Sequence, residues 1–515
     1  MNSFFRPESS VFIPSVKLAS TMLLVSALGG CISLAPQREV QLATTSLPDA
    51  FEVGDTQGVY KPAAWWLEFE DPVLNLLVED ALSDNLDIAE AGARVARANA
   101  QARLGRVALL PSLDASAGAS YSDSPLSGSA FGDLFDATGR LKSESYSLSL
   151  GAGYELDLFG RARNDLLASR ADARASEHDF KAVQLAAAAG AISTYFEIVD
   201  ARHQIELTVL RSGLLADRAS RTDERYRRGL VESFELYQVR QQLRTLQASL
   251  PQRESALAAA ESRLAVLLRD VPENLRAPQQ QPLQPRLVFQ SVPAGLPVEL
   301  LDQRPDVAAA WQRLDAARLR IGARRAERFP ALRLNGSLGT QGTQPADAVN
   351  TAQNWALSLA ANLVAPIFDG GRISANVAAA RATYDESAAA YAGSVLGAYA
   401  EVTAAIQDYE EQRQRYRLVL AQLEEAGSSL DLQTRRFEAG VGGYIAYLDA
   451  RLAVYQVRSE LSAAGRDVAL ARLGVHRALG GDWTLKDKFR PVNSSDKPPM
   501  DYTPSESMAN EGESR

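Results

Sequence analysis

Few side chains in this sequence stand where they could do chemistry. There is one cysteine, Cys31, and the three histidines, His178, His203 and His476, lie far apart. A thiolate metal site needs several ligands at short spacing, and a cysteine nucleophile needs a histidine partner, so neither is indicated. Serines and carboxylates abound, yet no G-x-S-x-G elbow and no glycine-rich phosphate loop presents them. The net charge of −9 brings none of the clustered Lys and Arg that phosphate binding requires. With four Met and three His, nothing suggests a conduit for metal ions. What remains is one thiol, at one defined place.

That place ends a targeting segment. Arg6 and Lys17 precede an apolar run from Leu18 to Leu28, interrupted upstream by Pro14. Its length suits a secretory signal and falls short of the roughly 20 residues a spanning helix needs. The run closes on Leu28-Gly29-Gly30-Cys31, which resembles the lipobox of bacterial lipoproteins, although Gly29 is not the commonest choice there. The resemblance implies cleavage before Cys31 and acyl chains upon it. Several chains together hold durably where one anchors marginally. Ile32 and Ser33, rather than Asp, follow Cys31, which favours transport to the outer membrane. A stray cysteine after an ordinary signal peptide is the bland alternative.

The mature chain repeats one plan twice. From Asp87 to Pro111 and from Asp306 to Pro330 the spacing is 24 residues. From Arg161 to Gly229 and from Arg372 to Gly440 it is 68 residues. The offset between copies falls from 219 to 211 across the Pro-to-Arg segments, so the second copy is 8 residues shorter there. Two matched spacings signal an internal repeat.

The Pro-to-Arg segments alternate with period 2. Leu113, Ala115, Ala117, Ala119 and Tyr121 alternate with Asp114, Ser116, Gly118 and Ser120, and Tyr146, Leu148, Leu150 and Tyr154 with Ser147, Ser149 and Gly151. Leu332, Leu334 and Leu338, then Trp355, Leu357, Leu359 and Leu363, do the same in the second copy. This predicts strands at about 111–128, 143–158, 330–340 and 353–368, with Gly/Ser/Asp-rich loops at 122–142 and 339–352. A barrel wall and a half-buried soluble sheet alternate alike; the signal segment places the chain in the envelope and favours the wall. Residues 162–228 and 373–439 contain no proline and read as helices of 67 residues, each about 100 Å long at 1.5 Å per residue. Return helices run to near Arg269 and Gly480, and shorter helices precede each strand pair, at 74–108 and 299–328.

Four strands do not close a barrel, for which about 8 are needed, and open edges cannot face lipid. The chain must therefore oligomerise into a hollow tube. The organisation expected is a signal peptide at 1–30, a lipidated linker at 31–60, repeats at 61–285 and 286–483, and a polar, disordered tail at 484–515.

The sequence also resembles the TolC-like outer membrane efflux proteins, in the lipid-anchored branch that includes OprM and NodT-type proteins. The matching residues are Trp65 to Pro72, Tyr154 to Arg161, Leu300 to Asp306, Pro366 to Arg372 and Leu479 to Gly481. The resemblance implies a mixed α and β fold: a homotrimer with a 12-stranded outer membrane β-barrel continued by a long periplasmic α-helical barrel, two tandem repeats per chain. It implies a passive exit duct for drugs or other small molecules, opened by a periplasmic adaptor and an inner membrane pump of the resistance-nodulation-division type. No enzyme activity, cofactor or metal belongs to it. It further places a periplasmic gate at the helical tips, whose turns carry Arg225, Tyr226, Gly229 and Gly440. Ile445 and Asp449, one helical turn apart, match an apolar and an acidic pore ring. Arg436 and Phe437 precede that turn. The family often has Tyr at Phe437, and a phenyl ring cannot make the hydrogen bond that holds such a tip shut. Type I protein secretion, or a non-transporting structural envelope lipoprotein, are the other functions the residues allow.

Overall fold

The computed structural model describes residues 34–36, 65–125, 140–272, 304–350 and 354–481. The signal segment, Cys31 and the polar tail lie outside these residues, as does most of the linker. After a 3-10 turn at Trp65–Phe69 come α1 (Pro72–Asp84), α2 (Leu86–Val107), β1 (Ser112–Pro125), β2 (Arg140–Leu156), α3 (Arg161–Arg227) and α4 (Ser233–Leu267). The second copy follows as α5 (Pro305–Ala326), β3 (Ala331–Gly342), a short α6 (Pro345–Val349), β4 (Trp355–Val364), α7 (Arg372–Glu438) and α8 (Tyr444–Ala478).

The strands form one antiparallel sheet in the order β1-β2-β3-β4. Its register sets Leu113 opposite Ala152, Leu150 opposite Leu338, and Leu338 opposite Leu357, so the apolar residues of all four strands share one face. Ser116 opposite Ser149, Gly151 opposite Ser337, and Ser337 opposite Ser358 line the other. The apolar face is uncovered in the single chain: Leu113 is 74% exposed and Leu359 77%. Tyr121, Tyr146 and Trp355 cross that face near the loop end and Tyr154 near the helix end, the aromatic girdles expected at the two membrane interfaces. β4 stops at Val364, short of 368, because Pro366 has no N–H to give a ladder. Part of the segment expected as a loop at 339–352 is instead the end of β3 and α6.

α3 and α7 each contain 67 residues. The expected helix at 74–108 is two helices, α1 and α2. Asn85 breaks it: its side chain accepts from the N–H groups of Asp87 (2.9 Å) and Ile88 (3.1 Å), capping α2. The same side chain donates to Leu267 O at 3.1 Å, fastening the break to the end of α4. In the second copy Arg304, at the start of α5, donates to Ala478 O at 2.7 Å, at the end of α8. Each pair of shorter helices thus meets end to end along its long one.

Two apolar clusters sit at the middle of the long helices. Trp65, Phe69, Leu74 and Val78 pack on Ala188, Ile192 and Tyr195 of α3 and on Leu473 of α8. Val307, Val402, Ile406, Tyr409, Val468 and Val475 join α5, α7 and α8. Buried alanines at 168, 171, 173 and 175 let helices approach closely along α3. A polar knot ties α3 to α8 at this waist. Asp200, 5% exposed, accepts from Ser462 Oγ and Arg466 Nη1, both at 2.7 Å, while Gln204 donates to Ser459 O at 2.7 Å. Asp200→Ala is expected to destabilise the chain by about 2–3 kcal/mol, below the full cost of a broken buried pair because Arg466 keeps Asp467. Thermal melting followed by circular dichroism measures it, and an unchanged transition would discount the knot.

Trp65 stacks on the buried His476 with centroids 4.9 Å apart. Burial holds His476 below its usual value despite Glu68, whose Oε2 lies 3.5 Å from Nε2.

Candidate functional site

The far ends of the long helices are built by local rules. α3 closes with Gly229 at φ 70°, its N–H on Tyr226 O (2.9 Å) and that of Leu230 on Arg225 O (2.9 Å). α7 closes the same way through Gly440 at φ 72°, with Gly440 N–H on Phe437 O and Val441 N–H on Arg436 O, both at 3.0 Å. These are Schellman turns, in which glycine takes the left-handed conformation other residues avoid. The backbone of Arg225, Tyr226, Arg436 and Phe437 therefore shapes the tips. Gly442 is needed too, since a Cβ there would come within 2.9 Å of Arg436 backbone.

Ile445 and Asp449 lie one turn apart at the start of α8, Ile445 half-buried and Asp449 exposed. Between them and α3 runs a set of contacts that joins the two repeats. Asp449 forms an ion pair with Arg218 of α3. The Tyr444 hydroxyl donates to Asp217 Oδ2 at 2.5 Å. Arg221 lies over the Tyr444 ring, 5.4 Å from its centroid, and Arg451 over the Tyr447 ring at 5.5 Å. Leu448, fully buried, sits between these polar links. The hydrogen bond to Asp217, with burial adding to it, raises the Tyr444 hydroxyl above its usual value and keeps it protonated.

Phe437 has no hydroxyl to offer, and its ring does something else: it stacks on Tyr447 at 5.6 Å and leans on Tyr444 at 5.3 Å. The phenol that clasps α3 is that of Tyr444. Asp449 is not a lone carboxylate, because Arg218 of the same chain compensates it. Asp217, Arg218 and Arg221 carried no signal in the sequence, since the α8 residues they meet are more than 200 positions away. The equivalent tip in the first copy has no such clasp at Ser233, the counterpart of Tyr444. There Asp223 is shared by Arg227 (2.8 Å) and Arg240 (3.0 Å). Leu230, Phe234, Tyr237 and Val441 are 63–72% exposed and leave the tips apolar.

An outward apolar sheet face, a polar inner face and two copies of one helix-strand plan now stand together. The family profile described as outer membrane efflux protein matches residues 77–268 and 296–481. The chain belongs to this family. Its relatives include the outer membrane protein OprJ of Pseudomonas aeruginosa, 30% identical over 479 residues that cover 90% of this chain and 95% of OprJ. The pyoverdine export outer membrane protein OpmQ of the same organism is 30% identical over 427 residues, covering 81% of this chain and 87% of OpmQ. Among solved structures, the outer-membrane channel OprN superposes with a TM-score of 0.77 at 27% identity, over 88% of this chain and all of that one. This protein is an outer membrane efflux channel whose helices extend into the periplasm.

Proposed function

We propose that three copies of this chain form one duct, a 12-stranded barrel continued by the helices, which lets drugs or other small molecules leave the cell passively. The observation that supports it is the sheet: one face lined by Leu113, Leu150, Leu338, Leu357 and Leu359 and largely exposed, and β1 and β4 each with an unpaired edge among the described residues. Edges left open in lipid strand several backbone groups without partners, so the sheet must be completed by other copies. An inner membrane pump, of the resistance-nodulation-division type, and a periplasmic adaptor would deliver cargo at the tips, whose exposed apolar residues offer the adaptor a seat. The chain itself supplies a passage and no catalysis. Single-channel conductance of the detergent-purified protein in planar bilayers, with its mass in detergent, tests the reading. A monodisperse monomer, or a trimer that passes no current, would overturn it.

The periplasmic gate is assigned to the α8 start, with Ile445 and Asp449 facing the passage and Arg436 and Phe437 shaping its approach. Ile445→Ala is expected to raise conductance modestly without altering charge selectivity, read from the reversal potential in asymmetric salt. Cys31 is assigned as the acylated residue. Cys31→Ser is expected to lose labelling by radioactive palmitate; label retained on the variant would refute the assignment.

A further inference from the structure

The polar face of the sheet carries few charges, and they do not stand together. Among the described strand residues it presents Asp114, Glu155 and Arg333, and the rest are chiefly Ser, Gly, Asn and Ala. Asp123, Arg140, Lys142 and Glu144 belong to the opposite face, at the loop end. Glu155 is answered within the chain. Arg161 donates from Nη2 to its Oε1 at 2.7 Å, and Arg333 from Nε to its Oε2 at 3.1 Å. The register sets Glu155 opposite Arg333 and Arg333 opposite Asn362, one row at the helix end of the sheet.

Asp114 stands in a different row. It is exposed and lies opposite Gly151, which lies opposite Ser337, which lies opposite Ser358. That row holds no cation. Gly151 is four residues from Glu155 along β2, about 13 Å at a strand rise of about 3.3 Å. The Debye length at 0.1 M salt is about 10 Å, so Arg161 and Arg333 offset Asp114 only weakly. The next rows towards the loops, with Ser116 opposite Ser149 and Gly118 opposite Ser147, are neutral. At the tips, by contrast, Asp449 is compensated by Arg218.

We propose that Asp114 sets the charge preference of the passage. Its three copies form a ring of carboxylates on the inner wall of the barrel, favouring cations and cationic cargo over anions. The ring rests on the three-copy duct proposed above.

The size of the effect follows from the geometry of such a wall. Twelve strands about 4.8 Å apart and tilted by about 40° put the backbone about 12 Å from the axis, and the carboxylates roughly 10 Å from it. Three unit charges at that distance, in water at about 0.1 M salt, enrich monovalent cations at the axis about twofold and deplete anions by as much. The cation-to-anion ratio is then about four- to fivefold. At about 1 M salt the Debye length falls to about 3 Å and the preference disappears.

The test is the reversal potential of the full protein in planar bilayers under asymmetric KCl. The parent is expected to prefer cations about four- to fivefold near 0.1 M salt and to show no preference near 1 M. Asp114→Asn should lose most of that preference, and Asp114→Glu should keep it. Asp114→Asn combined with Ser358→Asp returns a carboxylate to the same row from β4 and should restore the preference. Oligomer bands on gels verify that each variant assembles. An Asp114→Asn channel with the parent's reversal potential, or a parent without cation preference, would refute the assignment while leaving the duct intact. A monomer, or a trimer that passes no current, defeats the duct reading and the ring with it.

Discussion

Asp217→Ala with Arg218→Ala is expected to convert a mostly closed channel into one that conducts most of the time. The two substitutions remove both links from α3 to the start of α8, the hydroxyl bond from Tyr444 and the ion pair with Asp449. The Asp449 side chain is 46% exposed, so screening reduces each link to about 1 kcal/mol, the upper part of the range for exposed pairs. Two links in each of three copies opening in concert multiply that small figure into about 6 kcal/mol, enough to move a two-state equilibrium by about four orders of magnitude. Open probability in planar bilayers is the measurement. Tyr444→Phe keeps its tilted ring contact with Phe437 and loses only the hydroxyl, so it should open the channel partway. Equal open probability in the parent and both variants would place the closure elsewhere, with the first-copy tip at Phe234 the next position to test.

The pH dependence of this clasp has a definite sign. The Tyr444 value is raised, so the protonated hydroxyl is favoured in the clasped state. Its contribution is complete below the ordinary tyrosine value of 10.0 and is lost as pH rises through the raised one. Leak through the Tyr444 link should therefore grow only in strong alkali, and Tyr444→Phe should remove that rise.

Leu359→Arg is expected to abolish accumulation in the outer membrane, whereas Ser358→Arg, one residue away, leaves assembly intact. Leu359 stands on the apolar face opposite Gly336, and Ser358 on the polar face opposite Ser337. An arginine facing lipid near the bilayer midplane costs about 2–4 kcal/mol per chain, and a closed barrel of three chains incurs it three times. On the inner face the same side chain meets water and adds positive charge to the passage, which should shift the reversal potential towards anions. Fractionated membranes and heat-labile oligomer bands on gels read the first effect, and bilayer recordings the second. Both proteins assembling equally well would mean that the sheet does not present Leu359 to lipid.

Much of this architecture is written in short stretches of chain. A strand with Leu332, Leu334 and Leu338 on every second position has only one way to put them on a single face, because the side-chain period is 2. Proline-free runs rich in Ala, Leu, Arg and Glu commit α3 and α7 to helix, and Gly229 and Gly440 end them, since a left-handed turn residue favours glycine. These are local properties, and local properties survive in a bare sequence.

What links distant residues had to wait for the tertiary structure. The pairing of β2 with β3, Leu150 opposite Leu338, joins the two repeats across nearly 190 residues, and no periodicity in either strand specifies that partner. Asn85 interrupts what reads as one continuous helix because Leu267 O, at the end of α4, is there to accept from it. Phe437 looked like the loss of a clasp; only in space does the hydroxyl of Tyr444 reach Asp217, 227 residues earlier in the chain. In each case the deciding interaction is between side chains or backbone groups that helix length and strand period leave unspecified, and packing of the complete chain selects one partner among many.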